Sequence, residues 1–361
     1  ADLPQTLTDK KPLARRLALE LANLPRAVMT GLGDVSALFR QGVFYLPRHP
    51  ITWGKAAGSS FRMFAHERFF KASQQEIRHR PSFPLMKQHG LALTEIGGAI
   101  EKREEVFMSN ILERIPIIKH PARATNRAYV GFLNRMRADI FDSYVRAGDR
   151  LGLNDSPSYL DHAAAQVNNG TGRGAVRIYF TKGVQGAPTL ERAAPILNAV
   201  LFSPRLMASR LNLLDPIYYR SLEPTVRKEA LKDLLAFAGA GLTTLGLARS
   251  AGAQVGTDWR SADFGKLKVG NTRYDLFGGF LQPIVAGMRL LTGQMVSSTT
   301  GREFQLGEGY KPTTRFDIAQ RFLESKSAPL TAFALGLLRG KTATGDDFRA
   351  GSEIADWFVP M

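Results

Sequence analysis

The sequence predicts a mainly α-helical, multi-helix protein with one small β-hairpin at about residues 264–276. Three observations lead to this prediction. Apolar side chains recur three or four residues apart through most of the chain, which is the spacing of helices with one buried face. Proline and glycine interrupt the pattern repeatedly, so the helices end in short connections. One stretch alternates apolar and polar residues instead, in the manner of paired strands.

The helical spacing is clearest at residues 124–145, where six apolar or aromatic side chains fall on one face. This spacing predicts that the face is buried. The predicted buried residues are Tyr129, Phe132, Leu133, Met136, Ile140 and Tyr144. Further helices are predicted at 12–24, 32–41, 58–76, 94–112, 189–213, 224–249, 279–293, 314–325 and 328–339.

A glycine-rich stretch divides these helices into two groups. Residues 165–188 contain Asn-Gly, Thr-Gly and Arg-Gly pairs, which are typical of loops and disfavour a helix. The sequence therefore predicts an N-terminal helical region at 1–164, an exposed crossing or linker at 165–188, and a C-terminal helical region with the hairpin at 189–361.

The hairpin prediction rests on two short alternating runs around a Gly270-Asn271 turn. A two-residue turn of this composition connects antiparallel strands and fixes their register. It places Leu267 opposite Tyr274 and Val269 opposite Thr272 on one face. The other face then pairs Lys266 with Asp275 and Lys268 with Arg273, so it is predicted to be basic.

The formal net charge is +16, and its distribution is uneven. Residues 1–300 hold 40 lysines and arginines against 24 acidic residues, while residues 301–361 hold eight of each. Such an excess attracts nucleic-acid phosphates, anionic lipids or acidic protein surfaces, and the charge alone does not choose among them. The residues predicted to contact nucleic acid or an acidic partner are Lys266, Lys268, Arg273, Arg173 and Arg177.

An apolar run at 234–248 carries no charged residue but has only 15 residues. A bilayer-spanning helix needs about 20, so this length favours a buried helix. Its small residues would also permit close helix packing, and the flanking basic residues suit lipid headgroups, so transient membrane contact stays open. The residues proposed for membrane contact or helix packing are Leu234, Ala238, Gly241 and Leu245.

No group of residues in the sequence forms a recognisable catalytic, metal or cofactor site. His162 lacks a second ligand at metal-site spacing, and the acidic run 101–105 is interleaved with basic residues, as on a solvated helix face. The glycine-rich loop 169–174 lacks the Gly-Lys-Ser/Thr ending of a phosphate loop. Asp346 and Asp347 suit a helix cap, and the hydroxyl-rich 297–301 has no nearby base. We therefore predict a non-enzymatic chain without metal or cofactor.

Several segments resemble the domains of the very large polyvalent proteins that phages carry in their virions. The first group lies at 34–42, 103–105, 115–116, 123–129 and 132–134. The second lies at 201–205, 208–210, 258–266 and 270–273, so the resemblance extends over most of the chain. These segments contain no enzyme motif, and therefore they indicate lineage and not chemistry.

The resemblance implies an internal virion protein of a short-tailed phage, of the ejection or core type. Its expected partners are portal and tail proteins, sister copies and packaged double-stranded DNA, with transient contact to the host membrane. Its expected location is the virion interior, then the host envelope or cytoplasm after ejection. Two alternatives remain: an accessory domain that positions nucleic acid for a larger phage or mobile-element enzyme, and a hydrolase with an unfamiliar site.

Overall fold

The protein is mainly α-helical, as predicted, with small antiparallel sheets in its C-terminal half. The computed structural model describes residues 37–94, 116–156, 158–175, 201, 203–270, 272–309, 312–327, 329–342 and 347–352. The helix predicted at 12–24 and nearly all of that predicted at 94–112 lie outside the described residues, as do residues 189–200 of the helix predicted at 189–213.

The N-terminal part of the described chain is a series of short helices. A π-helical turn, Ala37–Gln41, precedes α1 (Pro50–Ala65), α2 (Glu67–Arg78) and α3 (Phe83–Gln88). The single helix predicted at 58–76 is wrong, because His66 is extended (φ −141°, ψ 128°) and separates α1 from α2. Neither proline nor glycine marks this break, so no local pattern in the sequence indicates it.

Helix α4 (Pro116–Leu151) is the long central helix, and it packs against α1 and α2. The predicted buried stripe is confirmed, since all six of its side chains are buried. Gly131 lies directly against the side chain of Met63 in α1, where a Cβ would clash. A side chain at this position would therefore displace the end of Met63 between α1 and α4.

Helix α5 (Tyr159–Gly170) differs from the prediction, because the first residues of the expected exposed crossing are helical and buried. Gly170 lies against the ring of Tyr45, where a side chain would not fit. Thr171, also buried, accepts a 2.8 Å hydrogen bond at its Oγ1 from Nε of the fully buried Arg137. The glycines here permit close packing, which composition alone does not distinguish from a flexible loop.

The helices that follow carry the chain to the sheet. Helices α6 (Pro204–Leu214), α7 (Pro216–Ser221) and α8 (Pro224–Ser250) each begin with a proline, which the first turn of a helix tolerates. The Glu223 carboxylate accepts hydrogen bonds from the first backbone N–H groups of α8 (2.8 and 2.9 Å) and so caps that helix.

The predicted hairpin is confirmed in its bounds and in its register. Strand β2 (Lys266–Val269) pairs antiparallel with β3 (Thr272–Asp275), and all four predicted residue pairs are observed. Gly270 adopts a positive φ of 59°, as the turn requires. A short strand that was not predicted, β1 (Gln254–Val255), pairs with the other edge of β2 and makes a three-stranded sheet.

The C-terminal part contains a second hairpin that was not predicted. Helix α9 (Leu281–Thr292) is followed by β4 (Gln294–Val296), which pairs with β5 (Glu303–Gln305). Helices α10 (Arg315–Glu324) and α11 (Pro329–Arg339) follow, within one or two residues of their predicted bounds. Strands of three residues are too short to show alternation, which explains why they were missed.

One hydrophobic cluster extends from the N-terminal helices through α4 and α5 to α8 and the start of α9. It therefore contains residues from both of the regions that the sequence separated at 165–188. Residues 176–188 lie outside the described residues, and the division into two regions stays a prediction.

Candidate interaction surfaces

The outer face of the β1–β3 sheet carries two of the predicted basic contacts. Lys268 is exposed and lies opposite Arg273 in β3 and Gln254 in β1. Arg273 is held by Asp263, whose carboxylate accepts its Nε proton at 2.7 Å. Among the described residues Lys268 has no acidic partner, so its charge is available to an external anion.

Lys266, the third predicted residue of the hairpin, lies in a more crowded environment. It is half-buried opposite Asp275, whose carboxylate also accepts the backbone N–H of Phe277 (2.8 Å). Burial, together with the positive charges of Arg40 and Lys266, lowers the pKa of the nearby Lys326 to about 8. Positive charges therefore crowd around a single carboxylate at this end of the hairpin.

Of the other two predicted basic residues, Arg173 is described, and it lies away from the hairpin. Arg173 lies beside α4, where its Nη1 donates a 2.9 Å hydrogen bond to Oγ1 of Thr94. Thr94 in turn donates its backbone N–H to Asn134 in α4. Arg177 lies outside the described residues, so its contact stays a prediction.

Helix α8 packs on the core with one face, which includes the proposed run of small and apolar residues. Leu245 is buried, and Leu234 contacts the hydrophobic cluster. Ala238 is half-buried, and Gly241 lies against the ring of Phe277, where a Cβ would overlap the ring. These four positions, spaced three or four residues apart, serve helix packing.

Asp233 anchors the N-terminal half of α8 through ionic contacts. Its side chain is 2% exposed, and Oδ1 accepts a 2.8 Å hydrogen bond from Nη1 of Arg48. The ring of His49 lies 3.2 Å from the same oxygen. Arg48 also binds the carboxylate of Glu229 and its backbone carbonyl (3.1 Å). The loop before α1 is thereby tied to one turn of α8.

Phe237 fixes α8 next to this anchor. Its ring lies 5.5 Å from that of Phe44, 5.8 Å from that of Phe277 and 5.1 Å from that of Phe280, measured between centroids. Such edge and tilted aromatic contacts add to the free energy of burying the rings. Helix α8 is therefore held on its inner side by an aromatic cluster as well as by Asp233.

The opposite side of α8 is apolar and exposed, and it corrects the expectation of a buried helix. Leu235 is 71% exposed and Leu242 is 65% exposed. We call this side the outer face of α8; it consists of Leu231, Leu235, Gly239, Leu242 and Gly246, with the exposed Thr243 between the two glycines. In the described part of the chain α8 is the one helix long and apolar enough to cross a membrane, and 22% of its apolar window is buried.

Basic side chains flank the outer face of α8 at both ends. Lys228 precedes it, Lys232 follows its first leucine, Leu231, and Arg249 lies beyond its last residue; all three are exposed. Lys232 pairs with Glu229 at 2.8 Å, whereas Lys228 and Arg249 have no acidic partner among the described residues. The apolar stripe is thus bounded by cations.

The outer face and the Asp233 anchor were not identified from the sequence. A helical projection of 224–250 would have shown apolar residues on both sides, but it does not tell which side the core covers. The partner of Asp233, Arg48, is 185 residues away in the chain, so no local signal connects the two residues.

The residues considered for catalysis have structural partners where they are described. His162 accepts the backbone N–H of Glu223 at its Nδ1 (2.9 Å), and Asp161 lies 2.7 Å from the ring of His89. Ser297 Oγ accepts backbone N–H groups within its own turn. The described residues contain no cluster of three or more metal-ligating side chains. The acidic run 101–105 and Asp346 lie outside the described residues.

Comparison with known proteins gives no match of any kind. No protein-family model matches the sequence, and no curated protein or solved structure matches the chain. The resemblance to polyvalent phage proteins therefore stays a prediction, and the functional argument depends on the surfaces described above.

Proposed function

We propose that this chain is a non-enzymatic segment of an internal virion protein, of the ejection or core type, from a short-tailed phage. In this role it packs beside portal and tail components and sister copies, contacts packaged double-stranded DNA, and enters the host with the genome. The observation that carries the proposal is the basic hairpin, where the exposed Lys268 lies opposite Arg273 and the half-buried Lys266 lies two residues away on the same strand.

Two further properties support this role. The net charge of +16 favours long-range attraction to a polyanion such as DNA. The exposed apolar face of α8 is typical of a protein that has a second binding partner, since soluble monomers rarely expose contiguous apolar surface of this kind. A chain that meets both DNA and an apolar or lipid partner suits storage in a particle followed by delivery.

The DNA contact is tested by measuring affinity for duplex DNA across a salt series. We expect the double substitution Lys266→Gln with Lys268→Gln to weaken binding and to reduce the slope of log K against log salt by about 2, since each lost phosphate contact accounts for about 0.9. The matched control substitutes Lys55 and Lys71, two exposed lysines of α1 and α2, which changes the net charge equally.

Equal effects of the two pairs of substitutions would show that the hairpin contributes only its net charge and makes no specific contact. Absence of binding at low salt would refute the DNA contact.

The assignment to the virion has its own test. Mass spectrometry of purified particles should detect peptides of this chain. Their absence would favour the alternative of an accessory domain that positions nucleic acid for a larger enzyme.

A further inference from the structure

Helix α8 has two apolar sides, and the protein covers one of them. The inner side is fixed by Asp233 and Phe237, while Leu235 and Leu242 on the outer face remain exposed. Fully burying a leucine side chain is favourable by about 1.5–3 kcal/mol, so leaving several in water is costly. A partner that covered the outer face would gain this free energy, and the shape and flanking charges of the face indicate which kind of partner fits.

Helix α8 is long enough to cross a bilayer, but the spacing of its charges and its contacts with the protein argue against a spanning arrangement. Lys232 and Arg249 are 17 residues apart, which is about 26 Å along a helix. The hydrocarbon core of a bilayer is about 30 Å thick. More decisively, the inner side carries a buried carboxylate bound to Arg48, so lipid cannot surround the helix unless that contact breaks. The folded protein can present the outer face only along the plane of a surface.

The positive charges around the outer face indicate that its partner is anionic. Lys228, Lys232 and Arg249 lie at its two ends, where their aliphatic stems can follow the leucines while the charges stay in water. A helix with an apolar stripe bordered by basic residues is typical of binding to the interface of an anionic membrane. The β1–β3 sheet, which contacts α8, carries a further exposed charge at Lys268.

We propose that the outer face of α8 binds an anionic lipid bilayer, with the helix lying in the plane of the interface and its inner side still docked on the protein. The leucines enter the acyl region, and Lys228, Lys232 and Arg249 contact lipid phosphates. This inference deepens the proposed function, because it names the lipid partner met on delivery. It rests on the proposed function only for the claim that the chain meets the host envelope during delivery.

The experiment is flotation of the whole chain with vesicles of phosphatidylglycerol mixed with phosphatidylcholine, and with vesicles of phosphatidylcholine alone. We expect binding to the anionic vesicles that falls as salt rises. The double substitution Leu235→Ser with Leu242→Ser should weaken it by about tenfold or more. The matched control is Leu291→Ser with Leu338→Ser, two leucines of α9 and α11 that are at least as exposed, which should bind like the wild type.

Orientation is read from site-specific labels, because the chain contains no cysteine. Ser221→Cys and Ser250→Cys, both exposed, place one environment-sensitive fluorophore before α8 or at its end. A membrane-impermeant reductant added outside the vesicles should quench both labels fully. Protection of one label would show that the helix spans the bilayer and would overturn the planar arrangement.

Three other results would overturn the proposal. Wild-type protein that fails to float contradicts it, as does equal binding to neutral and anionic vesicles. The third is a wild-type dimer in sedimentation that becomes monomeric in the Leu235/Leu242 variant without vesicle binding by either, which would assign the outer face to a second copy. The leucine variant should keep its DNA affinity and its fold by circular dichroism, so failure here is distinct from failure of the proposed function.

Discussion

At the scale of single residues, Asp233 is the side chain on which the position of α8 depends most. Its carboxylate is buried and lies within hydrogen-bond distance of both Arg48 and His49. Glu229, one turn earlier in α8, pairs with the same arginine but is 31% exposed. A buried charge that loses its partner is far more costly than an exposed one, because water cannot replace the missing contact. Substitution of each acid in turn therefore compares a buried with a partly exposed ion pair to the same arginine.

We expect Asp233→Asn to lower the free energy of unfolding by about 2 kcal/mol, because it removes the buried counter-charge of Arg48, although Glu229 still pairs with this arginine. Glu229→Gln should lower it by about 1 kcal/mol or less, since solvent screens that pair. Urea denaturation followed by circular dichroism measures both values. Similar losses for the two variants would show that burial of Asp233 does not determine the strength of the contact.

At the scale of elements, local patterns predicted those features whose causes are local. The hairpin register follows from a two-residue turn and from alternation within ten residues, and α8 begins at a proline within its predicted bounds. Helix α5 was missed because its last residue, Gly170, packs against Tyr45, whose hydroxyl donates a hydrogen bond to the carbonyl of Gln166, 121 residues away. The glycine-rich composition of this segment indicates a loop, but its packing against distant residues stabilises a helix.

The same distinction applies to the candidate surfaces. The basic residues of the hairpin were predictable because strand pairing brings neighbours in sequence together. The outer face of α8 was not, because the side of the helix that is buried is chosen by Phe44, Phe277 and Phe280 from distant segments. Sequence could indicate an apolar helix, but the exposed side required the fold.

Two glycines on α8 test this assignment of faces directly. A methyl group on Gly239 would meet nothing within 4 Å, whereas Gly241 abuts the ring of Phe277. We expect Gly239→Ala to stabilise the protein by about 0.5–1 kcal/mol, because alanine favours the helix and meets no obstacle. Gly241→Ala should destabilise it by about 1–3 kcal/mol through overpacking. Thermal denaturation of both variants checks the signs, and equal signs would contradict the described faces.

At the scale of the whole molecule, the hydrophobic cluster joins helices that the sequence assigned to separate regions. Phe44 connects them, since its ring contacts Phe237 of α8 and Tyr45, and the Tyr45 hydroxyl bonds α5. Helices that share one continuous core open together, whereas separate domains open with separate free energies. The cluster therefore implies that α4, α5 and the N-terminal half of α8 form one cooperative unit.

Removal of the central ring tests this cooperativity. Phe237→Ala should lower the free energy of unfolding by about 3–5 kcal/mol, because it leaves a cavity among three aromatic rings. Native-state hydrogen exchange should then show the same loss of protection for slow amides in α4 and α5 as in α8. Phe316→Ala, at an exposed site in α10, serves as the control and should leave these amides unchanged. A loss confined to α8 would instead establish two independently folding regions, as the glycine-rich segment first indicated.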